Sequence, residues 1–192
     1  RDYTPNTNTK YKVVHKLMNK DGKGYAEIET ENLYGTTDSS ITPSVKEYEG
    51  FTSPNTKTTT INGDESTIVE YLYIRNQYDL IVEDNQFVIE DKSGKYYYDT
   101  EVELSAKDRN GYDFVGWSNG SLDKTTSVKI LNNTTIKPVY KAKDDTPYKV
   151  IHYTMNIDGN GYTEKEEQLL TGKTDTEVTP EVKEYEGFTS PS

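Results

Sequence analysis

The feature that most constrains this chain is a long internal repeat. Residues 11–55 align without a gap with residues 148–192, at a constant offset of 137, and 28 of the 45 positions are identical. We call these two segments the first copy and the second copy. A period of 137 residues is too long for a solenoid, whose units run to about 20–45 residues, so each period is expected to hold two small domains.

The first copy opens with a pattern that is typical of a β-hairpin. The run YKVVHKLM at 11–18 is rich in apolar residues, as a strand would be. The polar turn NKDGKG follows at 19–24, and residues 25–33 alternate as a return strand does. Two antiparallel strands are therefore predicted at this end of the repeat.

The rest of the first domain predicts a short helix and a second hairpin. In the segment ITPSVKEYEG, Thr42 suits an N-cap, Pro43 suits the first helical position and Gly50 suits the residue past the end. Residues 57–61 and 67–74 are strand-like and flank the turn NGDES, so we expect them to pair with each other.

The residues that follow predict a second module made only of strands. Five segments have strand patterns with turns between them: QYDLIVED, QFVIED, KYYYDTEVELSAKD, YDFVGWSNG and TSVKILNNTTIKPVYK. The sequence thus divides into a linker at 1–10, a first module at 11–76, a second module at 77–142, a linker at 143–147 and a truncated second copy at 148–192.

Composition agrees with several small β-modules and limits the possible partners. Hydrophobic residues make up 31% of the chain, too few for one large core, and 17 tyrosines favour pleated, half-buried surfaces. A net charge of −11 argues against binding to nucleic acid. No apolar run approaches the roughly 18 residues of a membrane span, so we expect no membrane insertion in this segment.

One stretch of the second copy has the oxygen spacing of a calcium-binding loop. Asn156, Asp158, Asn160, Gly161 and Glu167 match positions 1, 3, 5, 6 and 12 of an EF-hand loop. The first copy has a lysine and a threonine at two of these positions, and helical flanks are missing. We therefore interpret the stretch as a hairpin turn and assign no metal site.

The other candidate side chains are interpreted as structural. His15 and His152 occupy the same repeat position within a strand, where a packing or surface role is expected. Trp117, Tyr112 and Phe114 could form a platform for stacking on a sugar, but we expect these aromatic residues to make the core of the second module. Alternation puts Trp117 and Val115 on one strand face and Tyr112 and Phe114 on the other. The run Tyr96–Tyr98 should expose at least one ring, towards a glycan or a neighbouring module. We expect no enzyme activity, no catalytic residue and no cofactor.

Both modules resemble repeats of bacterial surface proteins. The first resembles the MucBP (mucin-binding protein) repeats of Gram-positive bacteria, through YKVVH, the DGKG turn, Gly35, TPSVKEYEGFT and VEYLYI. The second resembles the divergent internalin-type, or Listeria–Bacteroides, B-repeats, through YYYDTEVELSAKDRNGYDFVGWSNG and ILNNTTIKPVYK. The resemblance implies tandem, small, β-grasp-like domains, mainly β with one short helix per MucBP-like module, in an elongated arrangement.

The function that follows from the resemblance is that of a spacer. We expect a repetitive stalk segment of an extracellular, cell-wall-attached adhesin that projects a distal binding domain and contacts neighbouring repeats. The alternative is that the MucBP-like modules themselves bind mucin, a host glycan or an extracellular host protein, through residues that the sequence does not identify.

The second copy lacks the counterpart of residues 56–75. Without that closing segment it should not bury enough surface to fold alone. We expect it either to gain order from the second module or a neighbouring molecule, or to be continued beyond residue 192.

Overall fold

The structure, a computed structural model, describes residues 1–192, and almost all of its regular structure is strand. The single helical element is a 3₁₀ turn at Asn85–Phe87, and no helix is long or apolar enough to cross a membrane. The strands in chain order are β1 Thr9–Met18, β2 Tyr25–Gly35, β3 Ser40–Ile41, β4 Phe51–Thr52, β5 Thr59–Thr60, β6 Ile68–Arg75, β7 Gln77–Val82, β8 Gly94–Tyr97, β9 Thr100–Ser105, β10 Tyr112–Trp117, β11 Thr125–Ile130, β12 Thr134–Ile136, β13 Pro138–Ala142, β14 Thr146–Met155 and β15 Tyr162–Gly172.

The chain divides into two compact units. Unit 1 comprises residues 1–83, 90–104 and 125–136, and unit 2 comprises residues 84–89, 105–124 and 137–192. The residues predicted as the second module are therefore shared between the two units.

The main sheet of unit 1 confirms the first predicted hairpin. Its strand order is β2–β1–β6–β4, with β1 antiparallel to β2 and parallel to β6. A cluster of six buried side chains fills its core, and these are Tyr11, Val13, Ile61, Val69, Tyr71 and Tyr73. Alternation explains the five that lie on β1 and β6, because every second residue of each strand points to the same face of the sheet, whereas Ile61 directly follows β5.

The predicted closing hairpin of residues 57–74 is wrong. Strand β5 pairs with β3, and β6 pairs with β1 instead of β5. The turn between β5 and β6 does form, since the Asn62 N–H donates to Thr67 Oγ1 over 2.8 Å. Burial decides the outcome, because only the place beside β1 covers Val69, Tyr71 and Tyr73, which are at most 3% exposed.

The predicted helix at 41–50 is also wrong, and tyrosines of β6 explain why. Tyr71 Oη donates to the Pro43 carbonyl over 2.6 Å, and the Lys46 N–H donates to Tyr73 Oη over 2.8 Å. The Lys46 carbonyl accepts a hydrogen bond from Ser53 Oγ. Backbone groups that a helix would pair with one another are thus satisfied by side chains, and the segment remains extended across the core.

The remaining strands of unit 1 form two small sheets. One has the order β12–β7–β8, with β12 parallel and β8 antiparallel to β7, and the other pairs β11 with β9. Their buried side chains are Leu80, Val82, Val102, Leu104, Val128, Ile130 and Ile136.

Unit 2 contains two antiparallel strand pairs, β10–β13 and β14–β15. The segment QFVIED, expected as a strand, is a 3₁₀ turn followed by a single bridge between Val88 and Ala106. The second copy contributes only the hairpin β14–β15, and its residues 173–192 contain no regular strand or helix.

The expected fold class therefore needs correction. Neither copy contains the helix that a β-grasp sheet would pack against, so the β-grasp-like arrangement with one short helix per module is not supported. The two copies are instead strand structures crossed by extended segments.

Candidate functional site: two inter-module junctions

Two consecutive tyrosines form the centre of a junction in unit 1. The ring of Tyr97 lies over Gly22 in the β1–β2 turn, and the ring of Tyr98 lies over Gly50 in the turn before β4. A Cβ atom at either glycine would overlap the ring. Both glycines also have a positive φ, +73° and +82°, which L side chains rarely adopt. We call this contact region the first junction.

The expectation that the Tyr96–Tyr98 run exposes a ring is wrong, because all three rings are half-buried. The chain turns directly after Tyr98, with Asp99 at a φ of +68°, so Tyr98 is not constrained by strand alternation. The alternatives for these tyrosines were a glycan and a neighbouring module, and in the structure Tyr97 and Tyr98 contact residues of the first copy.

Arg75 connects three segments at the first junction. Its Nε donates to the Met18 carbonyl over 3.0 Å, and its Nη1 donates to the Tyr98 carbonyl over 2.8 Å. The guanidinium carbon lies 4.6 Å from the centroid of the Phe51 ring. A planar guanidinium can donate in two directions while it stacks on a ring, so Arg75 suits this position better than a lysine would.

The backbone on either side of Asn76 leaves no free linker at the first junction. The Asn76 N–H donates to the Gly50 carbonyl over 2.9 Å, and the Asn76 carbonyl accepts from the Tyr98 N–H over 2.8 Å. Lys20 adds an ion pair with Asp99 at 3.2 Å, and its hydrogen bond lowers the pKa of that carboxyl. The junction is therefore held by direct contacts.

Unit 2 contains a different junction, which we call the second junction. Thr174 Oγ1 donates to the Gly111 carbonyl over 2.6 Å, and the Thr174 N–H donates to the Lys143 carbonyl over 2.9 Å. A Cβ atom on Gly111 would lie 2.8 Å from Thr174 Oγ1, and Gly111 has a φ of +79°. Contacts this close require glycine at this position.

Arg109 and Tyr112 complete the second junction. The Arg109 guanidinium lies 3.8 Å from the Tyr112 ring centroid and 4.2 Å from that of Phe87. Tyr112 Oη donates a short hydrogen bond to Asp175 in the second copy, and this bond raises the pKa of the tyrosine. The second copy therefore has contacts with residues of the predicted second module, which is one of the alternatives expected for it.

Two contacts of Thr174 at the second junction recur at its counterpart, Thr37. The hydroxyl groups of Thr9 and Thr37 lie 2.6 Å apart, and those of their counterparts Thr146 and Thr174 lie 2.5 Å apart. The Thr37 N–H donates to Asn6 as that of Thr174 does to Lys143. These two contacts are thus repeated at the offset of 137.

His15 has a structural environment. Its side chain is fully buried, with Nδ1 2.7 Å from Tyr73 Oη and Nε2 2.6 Å from a Glu31 carboxylate oxygen. Both ring nitrogens are thus used in linking β1 to its two neighbouring strands. The interpretation of His15 as a packing residue is confirmed. His152 keeps one of these contacts, with Nε2 2.6 Å from Gln168.

The carboxylate of Glu29, the residue opposite His15 on β2, holds the extended segment at 41–50 in place. Lys46 Nζ donates to Glu29 over 2.6 Å, and Tyr48 Oη donates to the other oxygen of the same carboxylate. These two hydrogen bonds lower the pKa of Glu29. Glu166 has the same two partners in the second copy, and there burial and the carboxylate raise the pKa of Tyr185 to about 12.

The stretch with EF-hand spacing is a hairpin turn. The Asp158 carboxylate accepts the Asn160 N–H over 2.9 Å, and Asn156 Nδ2 donates to the Asn160 carbonyl. Asp21 and Asn19 make the same bonds in the first copy. The oxygens and amides of these residues thus shape the β1–β2 and β14–β15 turns, as the sequence interpretation holds.

Trp117 is buried, as expected, but the expected assignment of residues to the two faces of its strand is wrong. A bulge between Phe114 and Gly116 shifts the register of β10, and Gly116 has a φ of +140°. The bulge brings Trp117 to the side of Phe114, with ring centroids 5.9 Å apart, while Val115 is exposed. The aromatic residues serve packing here, and Trp117 Nε1 donates to the Asp123 carbonyl.

Sequence reasoning missed Arg75 and Arg109. Only three of the 22 basic residues are arginines, and two of these three lie at the two junctions. The preference for arginine in a lysine-rich chain was a usable signal, since arginine is the better residue for stacking and forked hydrogen bonds.

Comparison with known proteins finds a similarity for one part of the chain. Residues 82–144 match the family model described as the divergent InlB B-repeat domain. This match supports the B-repeat assignment of the second module. No curated protein and no solved structure matches the chain.

Proposed function

We propose that this chain is a stalk segment of a bacterial cell-surface adhesin, in which MucBP-like modules alternate with B-repeat modules. Its role is to hold a distal binding domain away from the cell wall of a Gram-positive bacterium, without catalysis. The family match at 82–144 supports the repeat character, since B-repeats are consistent with a spacer in a surface protein.

The observation that carries the proposal is the direct packing at the first junction. A spacer transmits length only if consecutive modules resist bending, and a flexible linker would let the string collapse. Here the connecting residue Asn76 is hydrogen-bonded on both sides, and Arg75 spans the join. Neighbouring repeats are thus the partners that the proposal requires.

Small-angle X-ray scattering of the full chain tests this role. We expect the scattering of an elongated particle with one preferred length. A variant with six glycine and serine residues inserted after Asn76 should show a broader distribution of maximum dimensions. A compact particle for the natural chain, or no difference between the two proteins, would contradict the stalk.

A glycan array tests the alternative that the MucBP-like modules bind mucin or a host glycan. The exposed tyrosines are the side chains to examine, and Tyr34 and Tyr162 are 64% and 63% exposed. Reproducible binding that is lost in the Tyr34→Ala and Tyr162→Ala variants would favour this alternative. Binding that is absent, or unchanged in these variants, leaves the spacer as the better explanation.

A further inference from the structure

The second copy carries an open apolar cavity of about 1140 Å³. Its lining includes Ile151, Tyr153, Met155, Val182, Tyr185 and Phe188. Val182 is 54% exposed and Phe188 is 49% exposed, although their counterparts in the first copy, Val45 and Phe51, are partly buried against the core. The first copy shows what covers the corresponding positions there, because it has the same hairpin and the same extended segment together with a further strand.

In the first copy, strand β6 fills the corresponding place. It runs parallel to β1, with Val69 opposite Val13, Tyr71 opposite His15 and Tyr73 opposite Leu17. Val45 and Phe51, the counterparts of Val182 and Phe188, pack against that core. Pro43 is buried beneath Tyr71, whereas its counterpart Pro180 is exposed.

The segments that line most of the cavity, 151–157 and 182–191, form what we call the cradle. The cradle keeps contacts of the first copy although no strand occupies the cavity. Four contacts of the first copy recur at the offset of 137, and these are His152–Gln168, Lys183–Glu166, Tyr185–Glu166 and Ser190–Lys183. The β-bulge after His15 recurs after His152. A binding surface that is already formed has little ordering cost left to offset.

The cradle also has hydrogen-bonding groups placed for two tyrosines. In the first copy, Tyr73 Oη accepts the Lys46 N–H and lies 2.7 Å from His15 Nδ1, and Tyr71 Oη donates to the Pro43 carbonyl. The second copy has the same backbone groups and the same histidine at the corresponding positions.

We propose that the second copy is a receptor for an extended strand that enters parallel to β14 and carries the pattern Val-x-Tyr-x-Tyr. The occupant to which we commit is a further copy of the segment at residues 56–76, which also supplies the fully buried Ile61. By the offset of the repeat, Val69 of that segment lies opposite Val150 and Tyr71 lies opposite His152. This is recognition by addition of a strand to a sheet edge.

A synthetic peptide with the sequence of residues 56–76 tests the proposal on the full 192-residue chain. Titration is followed by fluorescence anisotropy of the labelled peptide and by amide chemical shifts of the isotope-labelled protein. We expect saturable binding of one peptide per chain. The shifts should be confined to residues 148–192, because the first copy already holds its own strand.

Two peptide variants make the test specific to one face of the strand. Tyr71→Ala with Tyr73→Ala removes the inward rings and should weaken binding by more than about a hundredfold. Ile68→Thr with Ile74→Thr changes two outward side chains, 61% and 53% exposed in the first copy, and should change affinity by less than about threefold.

A matched pair of protein variants locates the site. Val150→Asp places a charge on the inward face of β14 and should abolish binding, whereas Leu169→Thr on the exposed face of β15 should leave it unchanged. Absence of binding by the natural peptide would overturn the proposal. So would equal weakening by the inward and outward peptide variants, or a concentration-dependent dimer of the chain in which the cavity is covered by a second copy.

Discussion

Replacement of Gly22 by alanine tests the first junction, and the chain contains its own control. Gly22 and its counterpart Gly159 have nearly the same backbone conformation, with φ values of +73° and +72°. A Cβ on Gly22 overlaps the Tyr97 ring, whereas a Cβ on Gly159 meets nothing within 4 Å. The difference between the two variants therefore isolates the contact with the tyrosine.

The expected magnitude follows from two contributions. Alanine in the left-handed region destabilises by about 1–2 kcal/mol at both positions. Only Gly22→Ala also displaces Tyr97, which is half-buried and covers about 100 Å² of surface. At about 25 cal/mol per Å², this loss adds about 2 kcal/mol to the cost at Gly22.

Amide hydrogen exchange in the pair β7–β8 measures the effect, because Tyr97 lies at the end of β8 and pairs with Gln77. We expect exchange there to accelerate by about thirtyfold in Gly22→Ala and to remain unchanged in Gly159→Ala. In a Tyr97→Ala background, Gly22→Ala should cost no more than Gly159→Ala does. Equal effects on β7–β8 in the two single variants would refute the reasoning.

Three further predictions concern the junctions and the carboxylate of Glu29. Arg75→Lys keeps the charge but loses the forked hydrogen bonds and the stacking, so urea unfolding should show a loss of about 1–2 kcal/mol, and an unchanged midpoint would count against this role. Gly111→Ala should accelerate amide exchange at Thr174, while Gly120→Ala, which has a φ of +94° and open space, should not. Hydrogen bonds from a lysine and a tyrosine lower the pKa of Glu29, so its contribution to stability is present above pH 4.5 and is lost as the pH falls through the lowered pKa. Glu29→Gln should therefore be less stable at pH 7 and lose less stability on acidification, as thermal melts at several pH values would show.

The sequence by itself determined the features that depend on local pattern and on self-comparison. The offset of 137 identified the copies, and the apolar run at 11–18 with its Asp-Gly turn identified the first hairpin. The resemblance to the B-repeats was also recognised from the sequence, and the family match at 82–144 agrees with it. These inferences hold because turn chemistry and strand alternation act between residues close in sequence.

Tertiary structure decided the partners of each strand and the fate of the weak helix. The capping residues of segment 41–50 favour a helix, but Tyr71 and Tyr73, which are distant in sequence, form hydrogen bonds with its backbone carbonyl and N–H groups. The turn at 62–66 forms as its residues predict, but β6 pairs with β1 and not with β5. The reason is that burial of Val69, Tyr71 and Tyr73 against β1 outweighs a local hairpin pairing. The junctions could not be predicted from the sequence for the same reason. Glycine is required at positions 22 and 50 because the rings of Tyr97 and Tyr98, distant in sequence, pack against them in the folded chain.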